Sequence, residues 1–275
     1  MKSSAFDYAV PRSISDAAAA LSSEGTTAAV AGGQSLIPMM SLRVAVPDLL
    51  VNISGLSELK EISESSEAIR LGALVTHADV EDGKTPDAFG GLMRKVASGI
   101  SYRAIRNYGT LGGSVALADP AADWPVCLTA LGAVAQISNG NTIRSEPVSD
   151  FIRGQYTTSL AKEEVIVGFD IPKPDGPLRW GFCKVARNSG AFANSIAVAT
   201  QQGRGGSVSV VLGAAGPRPY LLPATTQLVS DTASDDALRC AVADDLKSLD
   251  LELDDYLTRL HVSSVLHAIR EMQAR

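Results

Sequence analysis

Histidine and cysteine are scarce in this chain, three of each in 275 residues, and their placement removes several chemistries. Cys127, Cys183 and Cys240 are odd in number and far apart. They match no zinc or iron–sulfur spacing; reduced, mostly buried thiols of a cytoplasmic protein fit best. His261 and His267 are not i,i+4 partners, so they read as surface or packing residues rather than metal ligands. The sequence also lacks a Gly-x-Gly-x-x-Gly fingerprint after a strand and a Gly-Lys-Ser/Thr phosphate loop. A Rossmann site and a nucleoside triphosphatase are thereby disfavoured. No Gly-x-Ser-x-Gly nucleophile elbow occurs either.

Positive charge is sparse too. The net charge is −6 and no Lys/Arg cluster resembles a nucleic-acid footprint. An anionic ligand therefore has to be held by local amides. Residues 1–8 have no apolar signal core. Residues 28–51 are apolar, but Gly32, Gly33, Pro38, Arg43, Pro47 and Asp48 interrupt and charge them, which argues against a membrane span. No low-complexity tract or architectural repeat stands out.

What is present is a pair of glycine segments. Ala31-Gly32-Gly33-Gln34-Ser35 follows the apolar run 27–30, and Thr110-Leu111-Gly112-Gly113-Ser114 follows a polar-aromatic stretch. Without a Cβ, backbone N–H groups can converge on a ligand oxygen, and neighbouring hydroxyls add donors. Two such segments could hold a pyrophosphate between them. Either alone reads more simply as a tight turn; the echo of both favours the clamp.

Strands are expected at 6–9, 27–31, 49–53, 164–171, 180–186, 195–200 and 207–212, with hairpins 60–63/68–71 and 134–138/142–145, the latter turning on Asn139-Gly140-Asn141. Helices are expected at 16–22 behind Ser13, from Thr76 to 81, at 92–98, 121–131, 234–246 and 254–272. In the last, Leu257, Leu260, Ser264, Val265, Ala268 and Ile269 share one face. Gly203-Arg204-Gly205-Gly206 reads as a turn. This mixed order is α+β rather than a regular α/β alternation. The proline-rich stretch 172–177 is the best domain boundary, separating 1–175 from 176–275.

Asp123, near a helix start, could accept from ligand hydroxyls or simply complement the helix dipole. Lys184 could reach an anionic ring or phosphate, or lie in solvent. Ile100, Ile166 and Phe192 could flank a planar ring, or be core.

The segments in their flanks carry a resemblance. Ala31-Gly32-Gly33-Gln34-Ser35-Leu36-Ile37-Pro38-Met39-Met40-Ser41-Leu42-Arg43 resembles the first flavin loop of the medium, FAD-binding subunit of molybdenum hydroxylases. Asn107-Tyr108-Gly109-Thr110-Leu111-Gly112-Gly113-Ser114-Val115 with Ala118-Asp119-Pro120-Ala121-Ala122-Asp123 resembles the second. Gly72-Ala73-Leu74-Val75-Thr76-His77, residues 164–172, Lys184-Val185-Ala186-Arg187 and residues 265–270 match in order.

The resemblance implies a two-lobed FAD-binding domain of the vanillyl-alcohol-oxidase-like type over 1–175, with lobes near 1–55 and 56–175. A small antiparallel sheet with helices follows over 176–275. It implies that Val30, Ala31, Gly32, Gly33, Gln34, Ser35, Leu36 and Ile37, with Thr110, Gly113 and Ser114, wrap the FAD pyrophosphate and ribose mainly through amides. Asp123 would bind sugar or ribityl hydroxyls, Ile100 and Ile166 would pack on the rings, and Lys184 would approach the flavin. Phe192 would cover or gate it. Family members usually carry Asp before that aromatic, where this chain has Ala191.

No side chain need act as acid, base or nucleophile, because the cofactor carries the redox chemistry. The implied partners are a large molybdopterin subunit and a small subunit with two-iron two-sulfur clusters, as a dimer of heterotrimers in the cytoplasm. Electrons would leave for an external acceptor. A free-standing FAD oxidoreductase and a flavin-free scaffold subunit are the alternatives.

Overall fold

The computed structural model describes residues 2–203, 205–230 and 233–275. Arg204, in the expected 203–206 turn, lies outside the described residues. A parallel three-stranded sheet orders Asp7–Ala9, Leu49–Asn52 and Thr27–Val30. Its first crossover helix, Ile14–Leu21, starts where Ser13 accepts a hydrogen bond from the Asp16 N–H. That side chain satisfies one of the donors a helix start leaves over.

An antiparallel five-stranded sheet orders Ile62–Glu64, Ala68–Gly72, Val165–Pro172, Val134–Ser138 and Ile143–Pro147. Helices Leu92–Ser98, Leu111–Leu117 and Asp123–Ala130 accompany it. The glycines expected in a second loop lie in the first turn of helix Leu111–Leu117, behind the Thr110 cap. Glycine propensity argues against a helix there, but packing overrides it: the Gly112 N–H donates to the Ala73 carbonyl at 2.8 Å, and a Cβ would sit 2.6 Å from the Ala73 Cβ.

A third sheet, antiparallel, orders Leu178–Ala186, Ala193–Gln202, Val208–Gly213 and Tyr220–Leu221. Helices Pro223–Leu228, Asp235–Ser248 and Asp255–Ala274 follow it. The buried face of the last helix starts a turn later than expected, at His261 and Val262, leaving Leu257 and Leu260 only half-buried.

Core and site are continuous. One apolar cluster runs from Ile69 and Leu71 through Trp124 and Val126 to Trp180, Ile196 and Val211, so the third sheet closes against helix Asp123–Ala130. Each large side chain buried there contributes about 2–3 kcal/mol against exposure. Trp180 adds a polar tie, donating its indole N–H to the Gly90 carbonyl at 2.7 Å. The thiols divide: Cys127 is buried, Cys183 half-buried and Cys240 exposed, so burial does not extend to all three. Cys240 lies on the solvent side of an amphipathic helix whose core contacts are Leu238, Val242 and Leu246.

Candidate functional site

A cleft of about 460 Å³ lies where the three sheets meet. One wall is the turn after strand Thr27–Val30. Gly33 there has φ +69°, a left-handed conformation that glycine adopts without strain. Gln34 braces the turn by donating its side-chain N–H to the Gly32 carbonyl at 2.9 Å. Among the described residues no carbonyl or side chain accepts from the N–H groups of Gly32, Gly33, Gln34, Ser35 or Leu36. Successive free amides of this kind form a concave anion site.

The second glycine segment differs. The Leu111 N–H donates to the Val75 carbonyl, Gly112 to Ala73, Gly113 to the Thr110 hydroxyl and Ser114 to the Thr110 carbonyl. Its amides are engaged within the protein, so toward the cleft this wall offers the exposed Gly113 face and the Ser114 side chain. The two segments touch: a Cβ on residue 32 would stand 1.8 Å from the Tyr108 carbonyl oxygen.

Asp123 lies at the start of its helix, 5 % exposed, and its Oδ2 accepts from Lys184 Nζ at 2.7 Å. Its Oδ1 is buried without a hydrogen-bond partner. Burial pushes the carboxyl up to about 6, against the opposing charge of Lys184. At neutral pH it is ionised and paired. Lys184 Nζ also donates to the Gly99 carbonyl at 3.1 Å, and Arg106 donates to the carbonyls of Ile100 and Ser101 at 3.0 and 2.9 Å. Two cations thus pin the 99–101 strap, including Ser101 at φ 44°. Glu81 in turn holds Arg106 through a two-point ion pair.

Val30, Ala31, Gly32, Gly33, Gln34, Ser35 and Leu36 line the cleft, as do Ile100, Thr110, Gly113, Ser114, Asp123, Ile166, Lys184 and Phe192. Ile37 does not. It is the second residue of the short helix Leu36–Ser41, 43 % exposed, and its side chain turns back over Gly33. His77, Ser101, Ile105, Gly109 and Asp119 line the cleft without having been singled out in the sequence. For His77 a signal existed: a lone histidine at the first helical position after a capping threonine, inside one of the matching segments. His261 lies elsewhere, with Nδ1 2.9 Å from the Ser195 hydroxyl, and burial lowers its pKa.

Among the described residues no group of three or more His, Cys, Asp and Glu could hold a metal ion. Nor is any helix long and apolar enough to cross a membrane. The free amides suit phosphate oxygens, and the orphan Asp123 oxygen suits a sugar-type hydroxyl. A protein that lines one apolar-walled cleft with both the amide run and Asp123 is of the class that binds nucleotide cofactors.

The comparisons narrow the class. Residues 4–174 match the family described as FAD binding domain in molybdopterin dehydrogenase, and the chain belongs to that family. It is 35 % identical over 218 residues to the nicotine 6-hydroxylase medium subunit of Paenarthrobacter nicotinovorans, covering 78 % of this chain and 76 % of that one. It is 31 % identical over 284 residues to the carbon monoxide dehydrogenase medium chain of Hydrogenophaga pseudoflava, covering 98 % of each. Among solved structures, quinoline 2-oxidoreductase from Pseudomonas putida 86 contains a similar chain at 31 % identity and TM-score 0.90, covering 100 % of this chain and 99 % of that one.

Proposed function

We propose that this chain is the FAD-binding, electron-transferring subunit of a heteromeric molybdenum hydroxylase. The observation that carries the reading is the free-amide run 32–36 lining one cleft with Asp123, whose buried Oδ1 has no hydrogen-bond partner among the described residues. The residues present fit the cofactor. Gly32, Gly33, Gln34, Ser35 and Leu36 would hold the pyrophosphate through their N–H groups. Ser114 and Asp123 would take hydroxyls, Ile100 and Ile166 would flank the rings, and Lys184 would keep Asp123 ionised. Phe192, 65 % exposed at the cleft, would shield the ring from solvent. FAD, when bound, supplies one- and two-electron redox chemistry. The protein's own part is to bind, orient and exclude water.

In this reading residues 1–175 form the cofactor domain, with two lobes of the vanillyl-alcohol-oxidase-like type near 1–55 and 56–175. Residues 176–275 close it. The partners are a large molybdopterin subunit and a small iron–sulfur subunit in a cytoplasmic dimer of heterotrimers. The small subunit delivers electrons to this chain, and an external acceptor takes them away.

The test is the visible spectrum of the purified protein and of G33V/G113V. Flavin bands in the wild type and their loss in the variant are expected. A folded wild type that takes up no FAD would overturn the proposal. Co-purification with molybdenum and iron–sulfur subunits tests the assembly.

A further inference from the structure

His77 is 6 % exposed, yet it lines the cleft beside Gly109. Its Nδ1 accepts a hydrogen bond of 2.9 Å from Trp124 Nε1, both side chains being buried. Indole nitrogen donates only, so Nδ1 must carry the lone pair, and the ring proton of the neutral imidazole sits on Nε2. Nε2 has no protein partner among the described residues and is not among their sealed, unpartnered polar atoms. Burial, with the nearby Arg106 charge, lowers the His77 pKa to about 4, so the ring is neutral at physiological pH.

Gly109 keeps that nitrogen uncovered. Its φ is not in the left-handed region, so the backbone does not demand glycine there; a Cβ would stand 2.7 Å from His77 Nε2. The backbone N–H of His77 donates to the Gly109 carbonyl at 2.9 Å, which holds the two backbone segments together beside the ring.

We propose that Trp124 locks His77 in the Nε2–H tautomer, and that His77 presents this N–H as a neutral donor to an acceptor oxygen of the bound FAD. The inference rests on the FAD reading above. His77 touches the cofactor, while Trp124 acts through it as a positioning residue. A neutral donor supplements the free amides without adding a cation to a cleft that already holds Lys184.

The test combines FAD titration with nitrogen NMR of the full chain. His77→Phe removes the donor and is expected to weaken FAD binding by about tenfold, the weight of one well-formed buried hydrogen bond. His77→Gln, which keeps an N–H, should recover part of it. Melting of the apo proteins checks that each variant folds. In wild-type protein, 15N-labelled His77 should show a protonated Nε2 and an unprotonated Nδ1, with the Nε2 resonance moving on addition of FAD. In Trp124→Phe a protonated Nδ1 fraction should appear, a change that lost packing alone would not produce. An Nδ1-protonated ring in wild type, or an Nε2 resonance indifferent to FAD, overturns the inference even if the variants fail to fold. Equal affinity of His77→Phe and wild type does so as well, and leaves the FAD reading standing. If the wild type binds no FAD, both fall together.

Discussion

The α-carbon of Gly32 faces the carbonyl of Tyr108 so closely that a Cβ there would lie 1.8 Å from the oxygen. The free-amide turn and the segment that leads into the second glycine pair are thus in direct contact. The missing side chain at residue 32 serves the protein's own packing rather than the ligand's approach.

Gly32→Val should therefore push the two segments apart. Overpacking of this kind costs about 1–3 kcal/mol, and the amide run 32–36 would lose its aim. The expected result is a lower apo melting temperature together with loss of bound flavin absorbance. Retention of both would show that the contact is dispensable.

The pair of Asp123 and Lys184 should be strongly coupled. Their side chains are only 6 % and 11 % exposed, and leaving one buried charge unpaired costs about 3–5 kcal/mol. Lys184→Met is expected to destabilise by that order. Adding Asp123→Asn should recover much of the loss, as a double-mutant cycle in urea would show. Additive losses would mean that the ion pair is energetically idle.

His77 sets a pH dependence whose sign is fixed. Its folded pKa of about 4 lies below the ordinary 6.5, so the unfolded chain binds more protons between those values. Stability gained this way is present above pH 6.5 and lost as pH falls toward 4, by about 3 kcal/mol in full. Asp123 acts oppositely: its folded pKa of about 6 lies above 3.8, so its contribution is present below pH 3.8 and lost as pH rises through 6. The stability difference between wild type and His77→Phe isolates the histidine. It should move in favour of the wild type from pH 4 to 6.5, and a flat difference would contradict the buried, neutral ring.

Phe192, by contrast, should matter to the cleft and not to the fold. It is 65 % exposed, so Phe192→Ala should change stability by no more than about 0.5 kcal/mol. With FAD bound, the same change should increase quenching of flavin fluorescence by iodide. Unchanged quenching would remove Phe192 as a cover.

Local signals made much of the fold readable. Helix Leu92–Ser98 ends where its apolar period ends, and the Asn139-Gly140-Asn141 turn places hairpin Val134–Ser138/Ile143–Pro147. Thr76 caps its helix reciprocally with Asp79. The second glycine pair misled, because the Ala73 contact that admits glycine to a helix is tertiary. The same holds at the site. Glycine spacing marked both segments, but nothing in sequence says that one has free amides and the other has none. Arg106, Glu81 and Trp124 act through partners distant in the chain, so no spacing could reveal them.

The cleft draws its walls from Ala28 onward through Phe192, with Lys184 reaching back to Asp123 from the third sheet. During synthesis, amino-terminal parts emerge and begin to order first. The residues of the amide turn are therefore made early, while Lys184 and Phe192 are translated more than 140 residues later. A cleft with all its walls therefore has to wait until residues 184–192 have been made, so flavin loading follows synthesis of the third sheet's first strand.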